Sequence, residues 1–298
     1  MLKRLAHFIF YGNYFYGCCT VALALEASLQ QQISLNSLSF YLLLYFGTVL
    51  FYTHAYLQEG TVNGSNPRNK WYAKNHSLII RTQILLSVIC TVLGTWLLIG
   101  NFYGLQKISL THMLLPVVSA FTALAYYGIP PNLNLRKTGW FKPFAIGFVW
   151  AITVTYMPVI WWQVEHDTVY TFNSFNVWFL IKNFMYISLL AVLFDIKDHA
   201  ADHNKKLKTF VVRIGLRKTI FYIIIPLAVM GFISFIAFAY LRHFHTLRII
   251  INSIPFILLI AVAWSMQQRK SILYYLVVID GLMLVKALCG ITAYLLTK

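Results

Sequence analysis

Three of the eight acidic residues in this chain, Asp195, Asp198 and Asp202, fall within eight positions of one another. On a helix, spacings of three and four stack side chains on one face, so these carboxylates form an acidic stripe about two turns long. Neighbouring like charges repel, and such a stripe costs stability unless a cation neutralises it. Mg²⁺ suits it, because Mg²⁺ is held by one or two carboxylates together with substrate phosphate oxygens. Immediately downstream lie Lys205, Lys206, Lys208, Arg213, Arg217 and Lys218. Carboxylates for a metal beside bases for phosphate oxygens make a diphosphate site. The competing reading is a solvated loop whose charges neutralise each other.

The elements that must carry this cluster are set by composition. The chain has 298 residues, 59% hydrophobic and only 11% charged, with a mean hydropathy of +0.69. That excludes an ordinary soluble enzyme and predicts an integral membrane protein built as a single helical domain over 1–298. Nine apolar runs are long enough to cross a bilayer core of ~30 Å: 6–29, 36–58, 77–100, 108–128, 143–163, 175–196, 219–241, 247–265 and 272–296. Turn residues separate them, including Gly60 to Pro67, Gly100 to Gly104, Gly128 to Asn134 and the polar stretch from Glu165 to Ser174.

The net charge of +16 does not indicate a nucleic-acid partner once the bases are placed. Alternating loops put Lys3, Arg4, Arg68, Lys70, Lys74, Arg81, Arg136, Lys137, Lys142, Lys197, the 205–218 bases, Arg269 and Lys270 on one side. Lys107, Arg242, Arg248 and Lys298 fall on the other. The positive-inside rule then puts the N-terminus in the cytoplasm and the C-terminus outside. Lys3, Arg4, an apolar run and Ala22-Leu23-Ala24 mimic a secretory signal, but Gly12, Asn13 and several tyrosines argue for a retained first helix. Cys18, Cys19, Cys90 and Cys289 lack metal-ligand spacing and read as small core residues. No repeat of the kind seen in transporters is visible.

The string Asp195-Ile196-Lys197-Asp198-His199-Ala200-Ala201-Asp202, followed by Thr209-Phe210-Val211-Val212-Arg213-Ile214-Gly215, resembles the second aspartate-rich motif of the UbiA-type intramembrane prenyltransferases, approximately NDxRDxxxDxxxGxxTxxxxxG. Asp195, Asp198, Asp202, Thr209 and Gly215 match in register and Lys197 replaces Arg, whereas Phe194 and Lys206 depart from it. Tyr127 followed by Arg136-Lys137-Thr138 resembles, with stretched spacing, the family's diphosphate-holding Tyr…Lys-Arg-x-Thr segment. The resemblance implies a nine-helix bundle in a bacterial inner (cytoplasmic) membrane. It implies Mg²⁺ held by Asp195, Asp198 and Asp202, and a prenyl diphosphate contacted by Arg136, Lys137, Lys142 and Arg213. It further implies transfer of the prenyl group to an aromatic or lipophilic acceptor.

One half of the expected metal cage is missing. The family's first motif, about NDxxDxxxD, should close the second helix, which here ends Phe51-Tyr52-Thr53-His54-Ala55-Tyr56-Leu57-Gln58-Glu59. No register there places two acids four apart, and Glu59 is its sole acid and remaining candidate metal ligand; His54 and Gln58 are weaker ones. Loss of one oxyanion-stabilising group costs ~2.7–4 kcal/mol of transition-state stabilisation, and loss of a divalent ion at least as much. An impaired enzyme therefore competes with a non-catalytic membrane subunit that binds lipid or docks partner proteins.

Asp280 lies ~15 Å deep in the last span at 1.5 Å per residue, where an acid needs a partner facing the bundle interior. Lys286 and Lys182 are its nearest bases by depth, and Lys182 is expected to snorkel to the outer face. Aromatics form 17% of the chain. Trp140, Trp161, Trp162 and Trp178 read as interfacial belts, and other rings could line a prenyl tunnel.

Overall fold

The computed structural model describes residues 2–58, 67–128, 133–204, 208–268 and 270–297, with side chains throughout except at 2, 3, 55, 58, 198 and 200–204. All regular structure among the described residues is helical. Helices α1 (Leu2–Tyr11) and α2 (Tyr14–Gln30) meet at a 58° break, where Asn13 adopts a left-handed φ of 65°. They are followed by α3 (Leu38–Gln58), the short α4 (Pro67–Lys74), α5 (His76–Gly100), α6 (Phe102–Lys107) and α7 (Leu110–Tyr126). A 3-10 turn at Leu135–Phe141 leads into α8 (Lys142–Ala151) and, through a π-turn at Ile152–Tyr156, into α9 (Met157–His166). Helix α10 (Ser174–Asn204) is the longest, at 31 residues.

The second half comprises α11 (Phe210–Ile214), α12 (Leu216–Thr219), a π-turn at Ile220–Ile224, α13 (Ile225–Leu241), α14 (Thr246–Ser265), α15 (Ile272–Tyr274), a π-turn at Tyr275–Ile279 and α16 (Gly281–Leu296). Two π-turns have a local cause. Pro158 and Pro226, in the first turns of α9 and α13, cannot donate to the carbonyl one turn back, and the widened turn ahead of each accommodates the lost bond.

Six helices or helix runs are long and apolar enough to cross a membrane, seven if the bent α1–α2 pair is one span. Leu38–His54 and Leu110–Tyr126 are apolar but shorter. The protein is therefore an all-helical integral membrane protein, and the expected nine spans reduce to six or seven by the length test.

Helix α2 packs between α3 and α16, α16 rests on α14, α14 on α13, and α10 on α8. Small residues set the closest approaches. A Cβ on Gly147 would meet the Ser188 hydroxyl at 2.0 Å, so α8 and α10 can touch only through glycine there. On Gly290 it would meet the Glu26 carboxylate at 2.5 Å. Glu26 is buried and accepts from Lys286 Nζ at 2.6 Å, while Gln30 Nε2 donates to the Gly290 carbonyl at 2.8 Å. Lys286 thus pairs with Glu26 and not with Asp280. Lys182 is also placed differently from expectation: its ammonium lies over the ring faces of Phe179 (4.8 Å) and Trp178 (5.2 Å), where the aromatic quadrupole holds a cation within the bundle. Trp161 is buried, stacks on Phe40 and donates to Glu165 at 2.8 Å, so it serves the core and not an interfacial belt.

Removing one partner of a buried ion pair strands the other charge, at a cost of about 3–5 kcal/mol. Glu26→Ala or Lys286→Met should therefore lower the melting temperature in detergent sharply, and the double variant Glu26→Met/Lys286→Met should recover most of the loss. A double variant that loses as much as the two single variants together would show that the pair contributes nothing.

Candidate functional site

The spans bring five separated stretches to one end of the bundle: Tyr16 of α2, Tyr52 and Tyr56 of α3, Tyr126 and Tyr127 at the end of α7, Arg136 and Lys142 around the start of α8, and the C-terminal half of α10. With Asp280 and Met283 they enclose a cavity of about 140 Å³. From α10 it is lined by Ile187, Leu190, Ala191, Phe194 and Lys197, a stripe at helical spacing. Arg136, Lys142 and Lys197 line the cavity together with the carboxyl group of Asp280, and Lys142 is ion-paired with Asp195.

Asp195 points elsewhere. Its side chain is fully buried and its Oδ1 accepts from Lys142 Nζ at 2.7 Å, so it does not line the cavity. Lys142 therefore bridges the wall of the cavity and the interior of the α8–α10 contact. The side chains of Asp198 and Asp202, and all of Glu59, Lys205 and Lys206, lie outside the described residues. Among the described residues no group of three metal-ligating side chains could hold a metal ion. Lys137 and Arg213 are exposed and outside the cavity lining.

Thr209 and Gly215 have local structural roles. Thr209 caps α11 by accepting from the Val212 amide, and Gly215 ends the helix at a φ of 87°, which a Cβ would strain. Gly139, at φ 66°, lies so close to Lys208 that a Cβ would meet its carbonyl oxygen at 2.5 Å. That contact pins the turn carrying Arg136 against the segment entering α11.

The stretch where the first aspartate-rich motif was expected is given over to mending the α1–α2 break. A kink frees carbonyls that have no amide within their own helix. Thr53 Oγ1 donates to the Gly12 carbonyl at 3.3 Å and accepts from Asn13 Nδ2 at 3.0 Å. Tyr72 donates to the Tyr11 carbonyl at 2.9 Å, and Arg68 Nη2 donates to the same carbonyl at 3.0 Å and to Asn13 Oδ1 at 2.5 Å. Burial pushes the Tyr72 phenol up and the adjacent guanidinium pulls it back. Arg68, read from sequence as a surface anchor, is 2% exposed and stacks on the Tyr56 ring at 3.7 Å, directly behind the cavity wall.

A second, apolar cavity of about 330 Å³ begins at the same aromatic wall. The two share Tyr52, Tyr126, Tyr127, Ile146 and Trp150, and the second continues past Thr20, Leu43, Gly47, Thr48 and Thr153. From Tyr52 to Leu43 along α3 is nine residues, or ~13 Å of depth at 1.5 Å per residue. Trp150 Nε1 donates to the Tyr52 hydroxyl at 2.6 Å, and Tyr52 stacks on Tyr16 with ring centroids 4.6 Å apart. A charged compartment at the helix ends thus shares an aromatic wall with a greasy one.

No family model and no curated protein matches the sequence. Among solved structures, that of a digeranylgeranylglyceryl phosphate synthase in membranes matches 99% of this chain and 99% of its own, with a TM-score of 0.54 and 14% identity. The two proteins share a fold. That likeness agrees with the UbiA-type bundle the motif resemblance implied. Sequence reasoning missed Glu26, Arg68, Tyr16 and Tyr56. Glu26 alone carried a signal, being an acid inside an apolar span.

The buried pair predicts a stability role for the first aspartate of the motif. Asp195→Asn or Lys142→Met should lower the melting temperature of the ligand-free protein by stranding a buried charge. Thermal unfolding in one detergent checks both, and an unchanged melting temperature for both variants would refute the assignment.

Proposed function

We propose that this protein is a UbiA-like membrane prenyltransferase that moves a prenyl group from a prenyl diphosphate to an aromatic or lipophilic acceptor. The supporting observation is the junction of the two cavities. A pocket lined by three bases at one end of the bundle shares one aromatic wall with an apolar cavity deep enough to take an isoprenoid tail. In this reading Arg136, Lys142 and Lys197 hold the diphosphate oxygens, and the tail lies between α3, α7 and α8. The carbon to be transferred sits at the ring formed by Tyr16, Tyr52, Tyr127 and Trp150. Electron-rich faces there stabilise positive charge developing as the C–O bond breaks, by ~2 kcal/mol for a desolvated cation.

Mg²⁺ belongs to the same proposal. Asp195 is committed to Lys142, which leaves Asp198 and Asp202 as its ligands; by spacing of four they continue the α10 stripe that reaches the cavity at Phe194. Bound there, the ion would neutralise the leaving diphosphate. Lys137 and Arg213 belong to the outer approach, as bases that draw the anion in. The proposal carries the nine-span topology with it, the two shorter apolar helices counting as spans, with the N-terminus cytoplasmic and the C-terminus outside a bacterial inner membrane.

The second reading, a non-catalytic subunit that binds lipid or partner membrane proteins, is favoured by one observation. Thr53 and Arg68 occupy themselves with the α1–α2 break where a second acidic motif would be needed.

Release of diphosphate from a labelled prenyl diphosphate separates them. Wild type should release it with Mg²⁺ and stop when the metal is chelated, and Asp198→Ala or Asp202→Ala should cut the rate on the order of 10²–10³-fold. No release from wild type that still assembles with neighbouring subunits supports the second reading. Gly47 lines the apolar cavity with open space around it, so Gly47→Phe should raise KM for long prenyl chains far more than for short ones. Unchanged chain-length preference would remove the tail from that cavity.

A further inference from the structure

Asp280 is the acid of this bundle that nothing above employs. It is 2% exposed, lines the charged cavity, and its Oδ2 has no hydrogen-bond partner. A buried polar atom left unmade costs about 1–3 kcal/mol, so such an atom on a residue that lines a cavity marks a place where a ligand group would be stabilised. The Asp280 amide donates to the Tyr275 carbonyl, five residues back, closing a π-turn, and the Cys19 thiol lies 3.7 Å from the Asp280 carbonyl oxygen. This third π-turn has no proline to explain it. The widened turn ends at Asp280, where the chain enters α16 against α2.

The chemistry of its surroundings narrows the ligand. Tyr16, Tyr52, Tyr56 and Trp150 line the cavity beside it. A diphosphate belongs with the three bases, which offer it charge where a carboxyl group offers at most one hydrogen bond. A metal would need further carboxylates, and among the described residues none joins Asp280. A hydroxyl both donates and accepts, so it satisfies the orphaned oxygen whichever way the proton lies, and an aromatic ring attached to it matches the tyrosine wall.

We propose that Asp280 is the binding residue for the second substrate: it hydrogen-bonds the hydroxyl of a neutral, ring-bearing, lipophilic acceptor and seats it against the prenyl carbon. This rests on the transferase reading and adds to it the class of acceptor. A site that hydrogen-bonds a hydroxyl rejects the analogue lacking one, because its own polar atom is then left unpaired.

The test uses the full chain in lipid nanodiscs and two probes, 4-octylphenol and 4-octyltoluene, with binding expressed per mole fraction in the bilayer. Geranyl S-thiolodiphosphate with Mg²⁺ is present in one series and absent in another. Wild type should prefer the phenol by about tenfold or more, the equivalent of one hydrogen bond to a charged group. Asp280→Leu should bring the preference to within about threefold, with binding of the toluene unchanged, whereas Asp280→Asn, which still hydrogen-bonds, should restore most of it. If Asp280→Leu does not assemble, Asp280→Ala replaces it. A merely structural aspartate would weaken both probes alike. The proposal is overturned if wild type shows no preference, or if Asp280→Leu keeps it. Failure of wild type to bind the thiolodiphosphate while still preferring the phenol would sink the transferase reading and leave the hydroxyl site standing.

Discussion

The ion pair between Lys142 and Asp195 holds the architecture of the site together. It crosses the α8–α10 contact, where Gly147 lets the two helices meet, and its carboxylate is wholly removed from solvent. A charge in that position is tolerable only while its partner stays in place. Because Lys142 also forms part of the cavity wall, the same interaction that fixes the helix pair fixes one of the bases that face the cavity. It also ties Asp195, the first aspartate of the acidic motif, into the α8–α10 contact.

The same economy recurs at the break between α1 and α2. A 58° bend releases carbonyls that a continuous helix would have satisfied, and Thr53, Tyr72 and Arg68 converge on them. Burying a guanidinium there places a permanent positive charge behind Tyr56, at the edge of a cavity already lined by three bases. The result is a mouth lined by bases beside an apolar cavity, with a hydrogen-bonded and stacked aromatic layer shared between them.

Charges deeper in the bundle obey a common rule. Glu26 is matched to Lys286, Lys182 rests on aromatic faces, and Gln30 spans between Gly290 and Arg248. Glu26 and Gln30 are compensated by groups on other helices, so they also specify how the helices are registered. Asp280 departs from that rule, with one oxygen left over.

Periodicity and composition were enough to reveal a helical membrane protein and the approximate position of every apolar helix, because burial in lipid leaves a long apolar signature that needs no knowledge of neighbours. The spacing of Asp195, Asp198 and Asp202 was legible because local spacing on a helix is a sequence property, though the side chains of Asp198 and Asp202 lie outside the described residues. What sequence could not contain was direction and partnership. That Asp195 turns toward Lys142, that Arg68 is drawn inside by two open carbonyls, that Glu26 takes Lys286 away from Asp280, and that two cavities meet at Tyr52 and Trp150 all depend on distances between residues far apart in the chain. Those distances exist only once the helices have packed, and it was packing that decided which charges support the fold and which remain available to a ligand.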